Sequence, residues 1–118
     1  MPKVSICSSV LNQSDWLKVM LASVVAQTYK DFELVLVDDG STEDIKALVD
    51  SFNDPRIRLI RWDENRGMPH GMNHALRQAR GEYISMLSAD EMIWKEKLEV
   101  QVKYMDENKR VDCVWGLP

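Results

Sequence analysis

The sequence has few cysteines, glycines and prolines and no excess of positive charge. Five glycines and four prolines among 118 residues, together with four tryptophans, argue against disorder and favour a folded chain. The formal net charge of −4 gives no electrostatic basis for binding nucleic acid, so we expect no nucleic-acid partner. A chain of this length forms one domain or part of one.

Apolar runs long enough to cross a membrane are also missing. The longest candidate, residues 17–26, contains Lys18, and the segment MPKVSICSSV lacks the long apolar region of a signal peptide. We therefore expect a cytoplasmic protein, which in its full length could act at the inner face of the membrane. Cys7 and Cys113 lie in apolar runs without metal-ligand spacing, so both are predicted to be reduced core residues.

The spacing of apolar residues alternates along the chain between the period of a strand and that of a helix. The near-continuous apolarity of FELVLV predicts burial on both faces, as in a parallel sheet, and the arginines of RIRLIRW predict an edge strand. We predict an α/β fold with an open, mostly parallel sheet and flanking helices. The predicted strands are KVSICSSV, FELVLV, RIRLIRW, EYISML and VDCVWG, at residues 3–10, 32–37, 56–62, 82–87 and 111–116.

Local signals predict the ends of the four intervening helices. Ser14 is predicted to cap the first helix, with Trp16 in its buried stripe, and Ser41 or Thr42 to cap the second. The third helix is predicted to open at Pro69 and to end at Gly81, and the fourth to cover residues 95–105.

Polar residues lie at or just beyond the carboxyl ends of three predicted strands, the end at which parallel sheets bind ligands. A carboxylate there can accept hydrogen bonds from a nucleobase or a ribose, and Gly40 permits a sharp turn; the alternative is that the acids only cap the next helix. An acid after the fourth strand could hold a phosphate only through a divalent cation, because both groups are anions. The alternative is that the acids there only begin a helix, where they favour the helix dipole. The residues are Ser8, Ser9 and Asn12, then Asp38 and Asp39, then Asp90 and Glu91.

Two further groups are weaker candidates for a site. Arg66 follows the third strand and could meet a phosphate or a base, although a loop arginine is usually solvated. His70 and His74 have the spacing of a metal pair on a helix, but no third ligand is near in sequence, so packed or solvated histidines are favoured.

The ordered segments VSICSSVLN, LASVVAQTYKDFELVLVDDGSTED, DPRIRLIRWDENRG, ARGEYISMLSADE and EKLEVQV resemble a family 2 glycosyltransferase of the GT-A fold, over residues 4–102. The resemblance implies a nucleotide-diphospho-sugar donor, commonly a UDP-sugar, held with Mg²⁺ or Mn²⁺. It further implies transfer to a saccharide, lipid or protein acceptor, as in polysaccharide biosynthesis.

The resemblance also implies residue roles. The loop after the first strand would lie against the nucleoside, and the acidic pair after the second strand would contact the base. The loop after the third strand would close over the nucleotide. The segment after the fourth strand would stand where the family has its Asp-x-Asp motif. The residues at these places are Ser9, Val10, Leu11 and Asn12; Asp38 and Asp39; Arg66 and Gly67; and Ser88, Ala89 and Asp90, with Asp90 at the metal-binding position.

The sequence departs from the family's pattern at three places. The aromatic residue expected before Asn12 is absent, the first acid of Asp-x-Asp is Ser88, and the arginine expected before the asparagine of the third helix is Met72. The resemblance places the general base and most of the acceptor surface beyond Pro118. We therefore assign no catalytic residue and expect residues 1–118 to be the donor-binding half of a longer enzyme, inactive alone and self-associating at its C-terminal edge.

Two other functions are compatible with an α/β sheet of this size. A receiver domain of signalling proteins also binds Mg²⁺ with an acidic pair, but its pair follows the first strand, where this chain has Ser8 and Ser9. A binding-only relic of a glycosyltransferase would keep the fold without the chemistry.

Overall fold

Four parallel strands and four helices alternate along residues 1–116, which the computed structural model describes. The strand order is β3-β2-β1-β4, so the predicted open parallel sheet is confirmed, with every pairing parallel. The elements are β1 (Val4–Val10), α1 (Ser14–Val25), β2 (Phe32–Asp39), α2 (Ile45–Ser51), β3 (Ile57–Trp62), α3 (Met68–Gln78), β4 (Tyr83–Met86) and α4 (Lys97–Glu107).

Helices cover the two faces of the sheet unequally. All eight residues of β2 are buried, as its continuous apolarity predicts. A large core joins one face to α1, α2 and α4, and its central side chains include Ile6, Leu17, Leu36, Ile45 and Leu98. A smaller core of Cys7, Val35, Val37 and Ala75 lies between the other face and α3. Because side chains alternate along a strand, neighbouring residues of β1 and β2 serve different cores.

The predicted beginnings of the first two helices are wrong. Helix α1 begins at Ser14 after Gln13, which is left-handed and serves as the N-cap, and Trp16 is 61% exposed. Helix α2 is capped by the carboxylate of Asp44, which accepts a hydrogen bond from the Ala47 N–H at 3.0 Å. Ser41 and Thr42 are unavailable as caps because their polar groups bond to Asn12.

The third and fourth helices differ less from expectation. Helix α3 begins at Met68 with Pro69 in its first turn, and α4 is shifted by two residues to Lys97–Glu107. Gly81 does not cap α3, whose C-cap is Ala79. A Cβ at Gly81 would lie 2.6 Å from the Ser5 backbone nitrogen, so this glycine allows the chain to pass close to β1.

The predicted fifth strand is also wrong: residues 111–116 form no strand. Val111 and Val114 are half-buried while Asp112, Cys113 and Trp115 are exposed, a spacing of three that does not match the two-residue period of a strand. Across residues 1–116, no helix combines the length and apolarity that crossing a membrane requires.

The two cysteines have different environments. Cys7 is fully buried, and burial raises the pKa of its thiol to about 11, so it is a neutral core residue as predicted. Cys113 is exposed, so the prediction that it belongs to the core is wrong. Its apolar sequence neighbours, Val114 and Trp115, do not bury it.

Both outer strands leave an edge of the sheet unpaired within the described chain. The edge position predicted for β3 is confirmed, and Arg58 on it forms an ion pair with Glu33 at 3.0 Å. At the other edge, Ile84 and Met86 of β4 are exposed beside a groove of about 750 Å³ that Trp115 also lines. Helix α3 packs mainly against β1 and β2, and the Ile84 and Met86 side chains of β4 stay exposed.

We predict that this uncovered apolar edge makes the chain self-associate, because exposed apolar patches and unpaired strand edges favour pairing with another copy. Sedimentation velocity over a concentration series should show mass increasing with concentration. Met86→Lys should reduce it, whereas Val19→Lys, on the exposed side of α1, should not. A concentration-independent monomer would contradict the prediction.

Candidate functional site

The strand order creates a crevice at one end of the sheet. From β1 the chain adds β2 and then β3 on one side, and β4 returns to the other side of β1. Ligands of open α/β sheets bind at such a reversal, beyond the carboxyl ends of the strands. Residues 9–12 include the end of β1 and the start of the loop after it, and residues 88–90 lie shortly after β4. The Leu87 N–H, just past β4, donates a 3.0 Å hydrogen bond to the Cys7 carbonyl of β1.

Asp38 is a buried carboxylate that shapes the loop after β2. Only 2% of it is exposed, and its Oδ1 accepts a hydrogen bond from the Ser41 N–H at 3.0 Å. Its Oδ2 lies 3.9 Å from Nε of Arg61, whose side chain is mostly exposed. Asp38 therefore has a structural role close to the one that the capping alternative proposes. It bonds to the loop after β2, however, and not to the first turn of α2.

Asp39 is equally buried but faces the opposite side of the sheet. Its two carboxylate oxygens accept hydrogen bonds from the backbone N–H groups of Arg66 at 2.7 Å and Gly67 at 3.0 Å. Hydrogen bonds to an ionised carboxylate are among the stronger ones in proteins. Asp39 therefore holds the loop between β3 and α3 at the end of the sheet.

The same loop lies directly on Gly40. This glycine has φ of 78°, and a Cβ on it would lie 2.5 Å from both the Asn65 nitrogen and the Glu64 carbonyl carbon. The guanidinium of Arg66 stacks 4.6 Å above the centre of the Trp62 ring, and the residue remains exposed at the rim, as expected for a loop arginine.

Asn12 joins the loop after β1 to the loop after β2. Its Oδ1 accepts hydrogen bonds from the backbone N–H groups of Thr42 at 2.9 Å and Glu43 at 3.0 Å, and its own N–H donates to the Ser41 hydroxyl at 2.7 Å. Asn12 is left-handed, with φ of 56°, which asparagine tolerates better than most residues. Hydrogen bonds from the Ser14 hydroxyl and N–H lower the pKa of Glu43, so it stays ionised beside α1.

A cleft of about 250 Å³ opens between these loops. Of the residues predicted for the site, the cleft brings together Ser9, Val10, Leu11 and Asp39; it also takes in Gln13, Asn65 and Met68, which the sequence analysis did not single out. The one sequence feature that could have indicated these three residues is that they adjoin predicted site residues along the chain. Val10 is a core side chain, whereas Leu11 is partly exposed.

Three other predicted residues have different surroundings. Ser8 lies within β1, and its hydroxyl is buried without a hydrogen-bond partner among the described residues. The ring of His74 packs edge-on against Trp62 at 5.4 Å, and His70 is exposed. The histidines are therefore packed and solvated, as favoured from the sequence.

The segment after β4 carries the predicted metal ligand. Ala89 is buried, Ser88 is half-buried and its carbonyl accepts a hydrogen bond from the Glu91 N–H at 3.2 Å, and the Asp90 side chain is exposed. Within residues 1–116, no three His, Cys, Asp or Glu side chains gather as a metal cage. One accessible carboxylate nevertheless fits a Mg²⁺-type cation, which protein sites often hold through one or two acids plus the phosphates of a substrate.

Comparison with known proteins identifies the family. The model of "Glycosyl transferase family 2" matches residues 5–117. The chain belongs to glycosyltransferase family 2. An uncharacterized glycosyltransferase of Rickettsia felis is 39% identical over 107 residues, covering 90% of this chain and 18% of the relative. The chain spans between 15% and 45% of the length of the curated relatives it matches.

Solved structures agree with this assignment. A Staphylococcus aureus TarS structure, residues 1–349 in complex with UDP, superposes with a TM-score of 0.86 at 30% identity, over 91% of this chain and 33% of that one. The mannosyltransferase PcManGT of Pyrobaculum calidifontis, in complex with GDP-Man and Mn²⁺, gives 0.78 at 28% identity, over 88% and 32%. The predicted GT-A fold is therefore confirmed. The receiver alternative is excluded, because such domains have the strand order 2-1-3-4-5.

The contact between Gly40 and the β3–α3 loop gives a direct test of the site's geometry. Gly40→Ala should push residues 64 and 65 away and strain the left-handed backbone, lowering the free energy of unfolding by about 1–3 kcal/mol. Urea denaturation measures this loss. Gly116→Ala is the matched control, since nothing lies within 4 Å of its added Cβ. Equal stability of the two variants would contradict the described packing.

Proposed function

We propose that this chain binds the nucleotide-diphospho-sugar donor of a family 2 glycosyltransferase, with UDP as the nucleotide and Mg²⁺ or Mn²⁺ as the cation. The proposal rests on the buried carboxylate of Asp39, which lines the cleft at the ends of β1 and β2. TarS has been crystallised with UDP and with UDP-GlcNAc, and PcManGT with GDP-Man and Mn²⁺.

The base would meet Asp39. The Arg66 and Gly67 amides occupy one acceptor site on each carboxylate oxygen, and an ionised carboxylate has about four such sites. The remaining sites can accept the N3–H of uracil, whereas cytosine has no N–H at that position. Guanine also has an N–H on its pairing edge, so Asp39 alone favours uracil or guanine over cytosine. Leu11, partly exposed at the same cleft, offers an apolar surface in place of the missing aromatic residue.

The diphosphate would lie nearer to β4. Asp90 would hold the divalent cation, with Ser88 replacing a second acid, and when bound the cation neutralises the diphosphate that leaves during transfer. With one acid in the motif instead of two, cation affinity in the absence of nucleotide should be weak. The Ser88 hydroxyl can instead bond to the ribose or to water on the cation.

The acceptor would be a saccharide, a lipid or a protein, and it would enter a surface formed with other parts of the enzyme. No described residue has the position and partners of a general base, so the proposal for this chain is limited to holding and orienting the donor. The activity of a complete enzyme would require the additional length that its relatives have.

Calorimetry with UDP, UDP-glucose and ADP, with and without Mn²⁺, tests the donor assignment. We expect UDP and UDP-glucose to bind more tightly than ADP, because the pairing edge of adenine has the acceptor N1 where uracil has the donor N3–H, and an acceptor facing the Asp39 carboxylate is unfavourable. Mn²⁺ should strengthen binding of all diphosphates. Equal affinity for the three ligands, or no binding of any, would contradict the assignment.

Single substitutions should separate base binding from cation binding. Asp39→Ala should weaken UDP about tenfold with or without Mn²⁺, the usual scale for a hydrogen bond to a charged group. Asp90→Ala should abolish the gain from Mn²⁺ and leave metal-free affinity nearly unchanged. Asp31→Ala, an exposed acid just before β2 and therefore at the other end of the sheet, is the control. If Asp39→Ala and Asp90→Ala lowered stability but left UDP affinity intact, a purely structural role would be the better account.

A further inference from the structure

The segment between β4 and α4 has almost no regular structure of its own. Residues 87–96 connect Met86 to Lys97 and include the loop that carries Asp90. Three of its apolar side chains, Leu87, Ala89 and Ile93, are buried in the larger core. A segment of this kind has many conformations available, and fixing each residue costs roughly 1–2 kcal/mol of backbone entropy. Something outside the segment must therefore hold it.

A buried glutamine just beyond the end of α1 does so. Gln27 is fully buried, and its Nε2 donates hydrogen bonds to the carbonyls of Trp94 at 2.6 Å and Ser23 at 3.2 Å. Its Oε1 accepts a hydrogen bond from the Leu98 N–H at 3.1 Å. The amide thus uses both ends to join residues about seventy positions away in sequence, and its polar atoms are satisfied in the protein interior.

The contact to Leu98 also compensates for a missing cap. Helix α4 begins after Glu96, whose side chain makes no capping hydrogen bond. The first N–H groups of a helix have no partner within it, so they need an acceptor from elsewhere. Gln27 supplies one acceptor to the first turn of α4, which fixes where the preceding segment must end.

Two neighbours of Gln27 hold the same segment. The Ser23 hydroxyl accepts a hydrogen bond from the Ile93 N–H at 3.2 Å and donates to the Met20 carbonyl at 2.7 Å. The Thr28 N–H donates to the Lys95 carbonyl at 2.8 Å. Three residues at or just beyond the C-terminal end of α1 therefore bond to four residues of this stretch: Ile93, Trp94, Lys95 and Leu98.

We propose that Gln27, supported by Ser23 and Thr28, is a positioning residue for the cation-binding loop at Asp90. This inference rests on the proposed function for the part that concerns the cation. Gln27 would touch neither the nucleotide nor the cation; it fixes the backbone at Trp94 and Leu98, four and eight residues after Asp90, and so limits the positions that the loop carrying this carboxylate can take before the donor arrives. Groups that bond directly to a metal ligand change metal affinity by about 10–100-fold when they are lost, and Gln27, which acts through the backbone, is placed at the lower end of that range.

The test compares Gln27→Met with Val49→Ala. Methionine keeps the length and much of the volume of glutamine but removes all three hydrogen bonds, whereas Val49→Ala truncates a buried side chain on α2, away from the segment. Ser23→Ala is a milder second variant, which keeps the test valid if Gln27→Met folds poorly. Two readouts are required: amide hydrogen exchange of residues 88–98, and UDP affinity with and without Mn²⁺.

For Gln27→Met and Ser23→Ala we expect exchange at residues 93–98 to accelerate about tenfold beyond any change in β1 and β2. We also expect the gain in UDP affinity from Mn²⁺ to fall about tenfold for Gln27→Met, with metal-free affinity unchanged. Val49→Ala should reduce protection over the whole molecule and leave the gain from Mn²⁺ unchanged.

The two readouts separate the failure of this inference from that of the proposed function. Unchanged exchange at residues 93–98 in both variants would overturn the inference, whatever UDP does. An equal loss of the Mn²⁺ gain in Val49→Ala and Gln27→Met would also overturn it, because global stability would then be the cause. If the unsubstituted chain shows no gain from Mn²⁺, the proposed cation site is wrong and the inference is overturned with it, even where local exchange shows that Gln27 holds the segment.

Discussion

The geometry of the site depends on the central position of β1 between β2 and β4, and a buried carboxylate at the opposite end of the sheet secures that position. Glu33 of β2 accepts hydrogen bonds from the Ser5 hydroxyl at 2.5 Å and the Arg80 N–H at 2.7 Å, and Ser5 in turn accepts from the Gly81 N–H at 2.8 Å. This cluster joins β1, β2 and the turn before β4. A shift of any one strand would separate the Glu33 carboxylate from one of these donors and leave a buried polar group without its partner. The cluster therefore strongly specifies the register of the three strands.

Once the strands are fixed at that end, the opposite ends carry loops that are joined by polar side chains. Asn12 bonds the loop after β1 to the loop after β2, and Asp39 bonds the end of β2 to the loop after β3. Gln27 anchors the segment after β4 from α1. Each loop is thus held by a side chain from another element, which gives a preorganised rim with little regular structure of its own.

The sequence was sufficient to predict the four strands and four helices in order, but it also predicted a fifth strand that residues 111–116 do not form, and it did not predict these cross-connections. The continuous apolarity of β2 and the helical spacing around Leu17 and Met20 reflect local period and burial, and both are present in the structure. The caps of α1 and α2 were predicted wrongly because several polar residues in a row could serve, and contacts between distant loops decided which did. Gln27 lies in one of the segments that carry the family resemblance, but its role was not predicted, because nothing in the sequence shows that its amide bonds to residues about seventy positions away.

The adjacent acids at the end of β2 illustrate why spacing along the chain does not by itself assign a role. Alternate side chains of a strand face opposite sides of its sheet, so Asp38 and Asp39 cannot act as one pair. Asp38 faces the side of α2 and bonds to the Ser41 N–H, whereas Asp39 faces the side of α3 and holds the amides of Arg66 and Gly67. Asp39 alone lines the cleft. A strand that ends in two carboxylates therefore supplies one group to shape its own loop and one to the site, and the pleat of the strand decides which is which.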